Sequence, residues 1–500
     1  MRAVLGASRH DSAMIFVAGA LALLSVGVLS GHGVEVLAPF LAIVSIVAAS
    51  RRTVIGWHRV IALIVVVVMF VPISRYKLPG SLPFDVELYR VVVAICLVLW
   101  IASLLVDSRV RLASTPFDPP LLLILACVLG SEVTNPGRVG TLASHVVKSL
   151  TFFASFVLVY YLTATTIRRR ADADFLLKLL TLSGAVIGFF AIVEQRTHYN
   201  VFDHLHSILP FLTFEGPLGY LMLGGNLRVY GSSQQPIALG AALVVILPLA
   251  IYFARVSGPR WWLAAVLLLL GAFASGSRTA MVMLAVEGIA FLCLKPAETM
   301  KLWPAVIPAL AVIHVASPGT IGSLKDAFFP KGGLIAQQSK FEADYNPLLA
   351  GGRIRQIKPM LNEASQKPVF GEGYGTRITG FDSPDRNAPI LDNQWLNNVL
   401  DVGFVGLAAW AWLMVTACRK LFGASRTAKE VRDSWLFAAL GASVASFAVG
   451  MLTFDAFSFT QAAFIFWIVL GLSAALLKIS TRPLASGAPA FGPRHPAWQP

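Results

Sequence analysis

Long apolar segments recur along the whole 500-residue chain and constrain its fold more than any other feature. A helix that crosses a bilayer needs about 20 mainly apolar residues. Fourteen segments are predicted as spans, some of them short or tilted: 13–30, 34–49, 60–74, 90–106, 119–131, 141–167, 173–195, 235–254, 261–275, 279–294, 302–317, 392–418, 434–451 and 455–477. We therefore predict an all-α polytopic membrane protein with about 12–14 transmembrane helices.

Charged residues make up only 13% of the chain, too few to cover the surface of soluble domains of this size. The net charge is nevertheless +14, and Lys and Arg collect in every second loop. With a cytoplasmic N-terminus, the inside segments hold 22 basic residues and the short outside loops hold five. Because cytoplasmic loops carry this excess, both termini are predicted to be cytoplasmic. The positive charge then reflects membrane topology, and no nucleic-acid partner is expected.

The spans and loops divide the chain into predicted parts. These are a cytoplasmic N-terminus (1–12), a transmembrane bundle (13–317) with an outer loop at 196–234, a large extracytoplasmic loop (318–391), C-terminal transmembrane helices (392–477) and a cytoplasmic tail (478–500) predicted to be disordered. Loops this long are uncommon unless they carry function. Within the large loop, an amphipathic helix is predicted near 352–366, although Pro359 disfavours it.

Motifs for metal, redox or nucleotide chemistry are missing from the sequence. The four cysteines have neither metal-ligand nor redox spacing and are predicted to pack as small apolar residues: Cys96, Cys127, Cys293 and Cys418. The glycines in the segment 367–376 are spaced like those of a nucleotide loop, but no strand–turn–helix context surrounds them. A tight turn entering a structured loop is predicted there, and no cofactor or metal is expected.

Arginines on the outer side are candidates for anion binding. Arg278 follows a Ser-Gly-Ser break between two apolar segments. It either snorkels from a helix end or clamps phosphate oxygens, helped by the N-terminus of the next helix. Arg353 and Arg355 follow a glycine pair in the large loop. They belong either to a solvated loop or to a basic segment that closes over an anion.

Polar residues also crowd the start of the span at 392. Asp392 either caps the helix or acts as a general base towards a substrate cavity. Trp395 either stacks on a sugar or belongs to the aromatic belt of the membrane interface. Asp401 lies about 13 Å from Asp392 along the predicted helix, deeper in the membrane. Its charge is costly there unless it is paired or faces a polar cavity. Other charges in or near predicted spans either line a path or form structural pairs: Lys148, Glu194, Glu287 and Asp455.

The order of these motifs resembles a known family. The Ser-Gly-Ser-Arg break is followed by Lys-Pro-Val-Phe-Gly-Glu-Gly-Tyr-Gly, an Asn-rich helix entry and Asp-Val-Gly-Phe-Val-Gly-Leu. Over residues 230–415 this order resembles the O-antigen ligase/O-antigen polymerase superfamily of bacterial envelope enzymes. The resemblance implies a GT-C-like membrane glycosyltransferase of the bacterial cytoplasmic membrane. Such an enzyme moves a glycan from a polyprenyl diphosphate carrier to a glycan or lipid acceptor at the outer face, without nucleotide sugar or metal.

The resemblance also implies roles for individual residues. Arg278 matches the membrane-edge arginine near the diphosphate, and Arg353 matches the loop arginine, with Arg355 as the other candidate. Asp392 lies near the place where ligases carry a histidine base, and Asn393 and Trp395 beside it are candidate substrate contacts. Since this chain has no histidine there, an exopolysaccharide-type polymerase or related transferase is favoured over a lipopolysaccharide ligase. Other envelope polysaccharide assembly proteins are possible partners.

Two other functions fit the same sequence. A transporter or flippase for lipid-linked glycans would place its key charges near the membrane midplane, at residues such as Lys148, Glu194 or Asp401. A non-catalytic partner in an envelope assembly complex would need no site at all. The large one-sided loop favours the transferase.

Overall fold

A computed structural model describes residues 56–78, 87–107, 110–216, 221–223, 226–301, 304, 311, 352–379 and 386–481. The predicted spans 13–30, 34–49 and 302–317 lie outside these residues, apart from residues 304 and 311. The C-terminal tail beyond residue 481 also lies outside them.

The described part of the chain is built almost entirely of α-helices. In chain order they are α1 (Trp57–Phe70), α2 (Leu88–Val106), α3 (Asp118–Thr134), α4 (Pro136–Thr141), α5 (Ala143–Thr166), α6 (Arg170–Thr197), α7 (Pro236–Val256), α8 (Trp261–Ala274), α9 (Arg278–Leu294), α10 (Pro296–Met300), α11 (Gly352–Ala364), α12 (Gln394–Thr427), α13 (Val431–Gly450) and α14 (Thr460–Ser480). Seven of these described helices are long and apolar enough to cross a membrane: α2, α5, α6, α7, α12, α13 and α14. This confirms an all-α polytopic membrane protein.

Helices α7 and α14 form the centre of the bundle. In each of them, 89% of the most apolar 18-residue stretch is buried inside the protein. Helix α7 packs against α6, α8, α9 and α13, while α5 runs along α14 and α12 lies between α3 and α13. Helices that are apolar on every side belong in such a central position, because neighbouring helices cover all their faces.

Two predicted boundaries show the largest differences from the structure. Helix α12 continues to Thr427, whereas the predicted span ends at 418. Helix α14 starts at Thr460, so Asp455 lies in the connection before it rather than inside the predicted span 455–477. A turn in which Ser458 N donates to Asp455 O at 3.2 Å delays the helix start. The amphipathic helix of the large loop is confirmed as α11, which continues through Pro359.

A buried arginine fastens the segment after α1 to the loop that follows α6. The Arg75 side chain is fully buried and donates to Asp203 Oδ1 and to Gly231 O, both at 2.5 Å. Nearby, strand β1 (Tyr76–Lys77) pairs antiparallel with β2 (Thr213–Phe214). Burial lowers the pKa of the Arg75 guanidinium, and Asp203 partly offsets that effect. Arg75, one of the five basic residues counted in the short outside loops, is therefore a buried residue that connects two segments of the fold.

A short 3-10 helix (Val201–Ser207) and a hairpin complete this loop. In the hairpin, strand β3 (Leu221–Leu223) pairs antiparallel with β4 (Asn226–Arg228). Glu194 at the end of α6 accepts hydrogen bonds from the Tyr230 and Gly231 amides. The loop at 196–234 is thus tied to the ends of the helices at that side of the bundle.

Candidate active site

Helix α12 is broken near its start, at Gly403. Its backbone there is left-handed, with φ 72° and ψ −176°. Each backbone group that such a break leaves unbonded inside a membrane costs several kcal/mol, of order 2–7 kcal/mol by transfer estimates. Three contacts satisfy the break: Glu372 N donates to Leu400 O at 2.8 Å, Phe404 N donates to Pro368 O at 2.8 Å, and Ser131 Oγ donates to Asp401 O at 2.5 Å. The segment 367–376 therefore docks directly onto the broken helix.

The spaced glycines make this docking possible. Gly371, Gly373 and Gly375 have φ values of 70°, 113° and 73°, which side chains rarely tolerate. A Cβ on Gly371 would lie 2.5 Å from Leu400 O, and one on Gly375 would lie 2.4 Å from Ser149 Cβ. These close approaches confirm the predicted tight turn and bring the segment against both α12 and α5.

A polar cavity of about 380 Å³ opens where this segment meets the helix ends. The described residues that line it come from the starts of α2, α5, α12 and α14 and from four connecting segments. Its charged lining residues are Glu87, Arg90, Lys148, Arg377, Asp401 and Asp455, with His145 beside them. Three cations and three carboxylates thus share one space at one end of the bundle.

The three cations differ in how far other groups already neutralise them. Arg90 Nη2 donates to Glu87 Oε1 at 3.0 Å, and Arg377 Nη1 donates to Glu363 Oε1 at 2.6 Å. Lys148 makes neither a hydrogen bond nor an ion pair within the described residues, and its side chain is exposed to the cavity. Its ammonium group is the cation most available to an anionic ligand.

Two of the carboxylates that line the cavity, those of Asp401 and Asp455, also differ. Asp401 Oδ1 is buried and has no hydrogen-bond partner in the described part of the chain. Asp455 accepts from Ser458 Oγ at 2.5 Å. Burial raises the pKa of Asp455 to about 6, Asn397 and Ser458 lower it, and nearby Asp392 raises it further. Asp401 therefore presents the oxygen that most needs a partner.

The predicted site residues at the start of α12 take partly different places. Asn393, not Asp392, caps the helix: its Oδ1 accepts from Leu396 N at 3.2 Å. The capping interpretation of Asp392 is therefore wrong, because the helix begins one residue later. Trp395 Nε1 donates to Ala448 O at 3.0 Å and so joins α12 to α13. None of these three side chains is among the described residues that line the cavity.

The predicted arginines lie on two other elements. Arg278 is the first residue of α9, which Ser277 caps, and it is not among the described cavity-lining residues. Arg353 and Arg355 lie in α11, but the positions of their side chains fall outside the described residues. Helix α11 reaches the cavity through the Glu363–Arg377 ion pair. The roles of these arginines stay predictions.

The sequence analysis identified some of the cavity residues but did not predict that they lie together. Lys148, Asp401 and Asp455 stand out as charges in apolar surroundings, which is the signal that marks functional positions in membranes. Arg90 and Arg377 give no such signal, because one lies at a span edge and the other in a polar loop. Only the fold brings these five residues together.

A comparison with known families gives the region an identity. Residues 263–411 match the family model described as O-antigen ligase. The match confirms the superfamily resemblance for these residues, and the long apolar helices are those of a multi-pass membrane protein. No curated protein matches the chain.

The matched region supplies only part of the lining of the cavity. It contains Arg377 and Asp401, whereas Arg90, Lys148 and Asp455 come from helices and loops outside the matched residues. The cavity is therefore formed jointly by the family region and the rest of the bundle.

Proposed function

We propose that the protein is a polysaccharide polymerase or ligase that transfers a glycan from a polyprenyl diphosphate carrier to a glycan or lipid acceptor. The reaction takes place at the outer face of the bacterial cytoplasmic membrane. The observation that carries this proposal is the cavity, in which cations and carboxylates share one space that the matched residues 263–411 help to form. No ATP is available outside the membrane, so the energy of the new bond must arrive with the donor.

The cations suit the leaving group of this reaction. As the bond to the sugar breaks, negative charge develops on the diphosphate, and fixed positive groups in a site shielded from water stabilise that charge. Lys148 faces the cavity without a partner in the described residues, and Arg90 and Arg377 line the same cavity. We assign the diphosphate to these three residues. Arg278, Arg353 and Arg355 are the further diphosphate ligands that the family resemblance suggests.

The carboxylates suit the acceptor. In the proposed step, an acceptor hydroxyl oxygen bonds to the anomeric carbon while the bond from that carbon to the diphosphate oxygen breaks. The hydroxyl proton passes to a carboxylate, and polyprenyl diphosphate leaves as an anion. Asp401 is our first choice as proton acceptor, because its buried Oδ1 has no partner among the described residues. Asp392 is the second choice, from the sequence.

The position of the charges favours transfer over transport. Lys148 is the sixth residue of α5 and Asp401 the eighth of α12, so each lies about 10 Å or less from the start of its helix. A transporter places its binding site near the midplane, where both sides of the membrane can reach it in turn. Charges gathered at one end of the bundle suit a reaction at one membrane face.

Activity can be tested with purified protein in vesicles, supplied with the polyprenyl-diphosphate glycan pool of the host. We expect release of polyprenyl diphosphate together with glycan growth or transfer. Lys148→Gln and Arg278→Ala should lower the rate at least about tenfold, since each removes a positive charge that stabilises the diphosphate leaving group. The matched control is Lys178→Gln on α6. The Lys178 amine lies over the Phe253 ring of α7, and Lys178 is not among the described cavity-lining residues. Movement of intact lipid-linked glycan across the bilayer without release would contradict the proposal and establish a flippase.

A further inference from the structure

Four planar side chains lie in a row on the loop at 196–234. They are Tyr199, His204, His206 and Phe214, and each ring is stacked on the next, at centroid distances of 4.4, 6.3 and 5.9 Å. These four residues form the ring row. Tyr199 is 48% exposed and both histidines are exposed. None of the four is among the described residues that line the cavity, so the ring row lies outside the proposed active site.

The backbone under the ring row is fixed by buried contacts. Both histidines belong to the short 3-10 helix of this loop. In that helix Phe202 O accepts from the Tyr76 hydroxyl, and Leu205 N donates to the same hydroxyl, each at 2.9 Å. Asp203 between them is bound to the buried Arg75. The rings are therefore held in place before a ligand arrives, which lowers the entropy that binding costs.

One end of the ring row is close to the cavity. Phe214 of β2 is the register partner of Tyr76 in β1, and their ring centroids lie 5.2 Å apart. Ser74, two residues before Tyr76, lines the cavity. Two residues of chain span at most about 7 Å, and paired strands lie about 5 Å apart. The cavity and the Phe214 end of the ring row are therefore close enough for one extended ligand to touch both.

The edges of the rings offer polar groups. His204 Nδ1 donates to Asn200 O at 3.1 Å, which leaves Nε2 as an acceptor in the neutral ring. Neither the nitrogens of His206 nor the Tyr199 hydroxyl have a hydrogen-bond partner among the described residues. These groups alternate with apolar ring carbons, as hydroxyl and C–H groups alternate on a sugar. The ring row therefore matches a glycan in both polarity and shape.

The charged residues near the ring row are already engaged. Asp203 is paired with Arg75, and Glu215 Oε2 lies 2.6 Å from Lys77 Nζ. Arg196 at the end of α6 also has an interaction within the structure. An ionic ligand would therefore find no unpaired charge among these five residues, whereas a hydroxyl-rich ligand needs none. Acyl chains fit less well, because they leave the polar ring edges without hydrogen bonds.

We propose that the ring row binds an uncharged stretch of the acceptor glycan beside the cavity. The imidazole edges of His204 and His206 hydrogen bond to sugar hydroxyls, and the half-exposed ring of Tyr199 packs against sugar C–H groups. The inference rests on the proposed transferase function, because it takes the acceptor to be a glycan. It adds a binding site for the part of the acceptor that lies away from the reacting hydroxyl.

The first test measures binding without catalysis. The probe is glycan released by mild acid from the lipid-linked pool of the host, titrated calorimetrically into the purified full chain in lipid nanodiscs. The wild type should bind it. The double variant His204→Phe, His206→Phe should bind about tenfold or more weakly, because the rings stay stacked while their hydrogen-bonding edges are lost.

The matched control is His198→Asn, which should bind as the wild type does. His198 is an exposed residue of the same loop outside the ring row. Its backbone is left-handed, with φ 59°, and asparagine tolerates that conformation. Tyr199→Ala is a second test variant at an exposed position, and it should also weaken binding if the double variant does not fold.

A kinetic measurement separates this inference from the proposed function. In the transfer assay, the double variant and Tyr199→Ala should raise the KM for the glycan acceptor and leave kcat nearly unchanged, since they touch no reacting atom. A wild type that releases no polyprenyl diphosphate would overturn the proposed function. An active wild type that binds the free glycan no more tightly than these variants would overturn the inference alone. Equal glycan binding, together with variants that are destabilised in nanodiscs but not in detergent, would assign the ring row to the membrane interface instead.

Discussion

Asp455 lies in the connection between α13 and α14, where burial raises its pKa to about 6. The unfolded chain releases this proton near pH 4. Between pH 4 and 6 the folded state therefore holds more protons than the unfolded state, so stability falls as the pH rises. Above pH 6 the carboxyl is ionised in both states, and burial of its charge lowers the free energy of unfolding by about 2–3 kcal/mol.

Asp455→Asn removes this penalty and keeps the hydrogen-bonding shape of the side chain. We expect the variant to be more stable than the wild type at pH 7.5, with the difference disappearing as the pH falls from 6 to 4. Thermal unfolding in detergent, followed by tryptophan fluorescence across that range, measures the difference. A difference that is the same at every pH would show that Asp455 is not the titrating group.

Arg75 makes a contrasting prediction, because its charge is buried and paired. Arg75→Met leaves the Asp203 carboxylate without this partner and removes one donor from each of the carbonyls of Gly231 and Ser233. Removal of one member of a buried ion pair costs about 3–5 kcal/mol. We expect a matching drop in the free energy of unfolding. The double variant Arg75→Met, Asp203→Leu should recover part of that loss, whereas no recovery would mean that the pairing is unimportant.

The residue scale also shows where sequence reasoning stops. Charges such as Lys148 and Asp401 stand out because a bilayer makes them costly. Arg75 lies in a short polar segment, and nothing in its neighbours indicates that a loop from residues 196–234 will cover it. The contact between residues 75 and 203 forms only in the tertiary fold, and no local pattern in the sequence indicates it.

At the scale of elements, the break in α12 at Gly403 is the feature that positions the cavity. A Cβ on Gly403 would lie 2.2 Å from Val369 O, and the backbone there has φ 72°. We expect Gly403→Ala to destabilise the protein by about 2 kcal/mol or more, through strain and loss of the docked segment. The yield of monodisperse protein and its unfolding temperature measure this effect.

Gly423 provides the matched control on the same helix. A Cβ there would meet nothing within 4 Å. Gly423→Ala should leave the protein as stable as the wild type or more stable by about 0.5–1 kcal/mol, since alanine favours helix. Equal effects of the two substitutions would contradict the role given to the break.

The helices themselves follow closely from apolar run lengths. Each predicted span within the described residues corresponds to a helix whose ends are shifted by a few residues, up to nine at the end of α12. The break at Gly403 could not be predicted in this way, because glycine is common in transmembrane helices. Two of its partners, Pro368 and Glu372, lie some 30 residues away in a segment without apolar periodicity, and the third, Ser131, lies 270 residues from Asp401.

At the scale of the whole molecule, the cavity lies at one end of the bundle. The excess of Lys and Arg in alternate loops predicts that the cavity faces outwards. After replacement of the four native cysteines, we expect Ser458→Cys to react with a membrane-impermeant maleimide in cells whose outer barrier has been opened. Lys429→Cys should react only after the cytoplasmic membrane is disrupted. The reverse pattern would place the cavity on the cytoplasmic side and exclude the proposed reaction.

The most direct test of the cavity as the catalytic site compares two carboxylates. The measurement is the initial rate of polyprenyl diphosphate release by reconstituted Asp401→Asn and Asp392→Asn, each checked for a wild-type unfolding profile. We expect Asp401→Asn to lose about 100-fold or more, the usual contribution of a general base, while Asp392→Asn keeps most of the activity. Wild-type rates in Asp401→Asn together with an inactive Asp392→Asn would contradict the assignment and move the base to the start of α12.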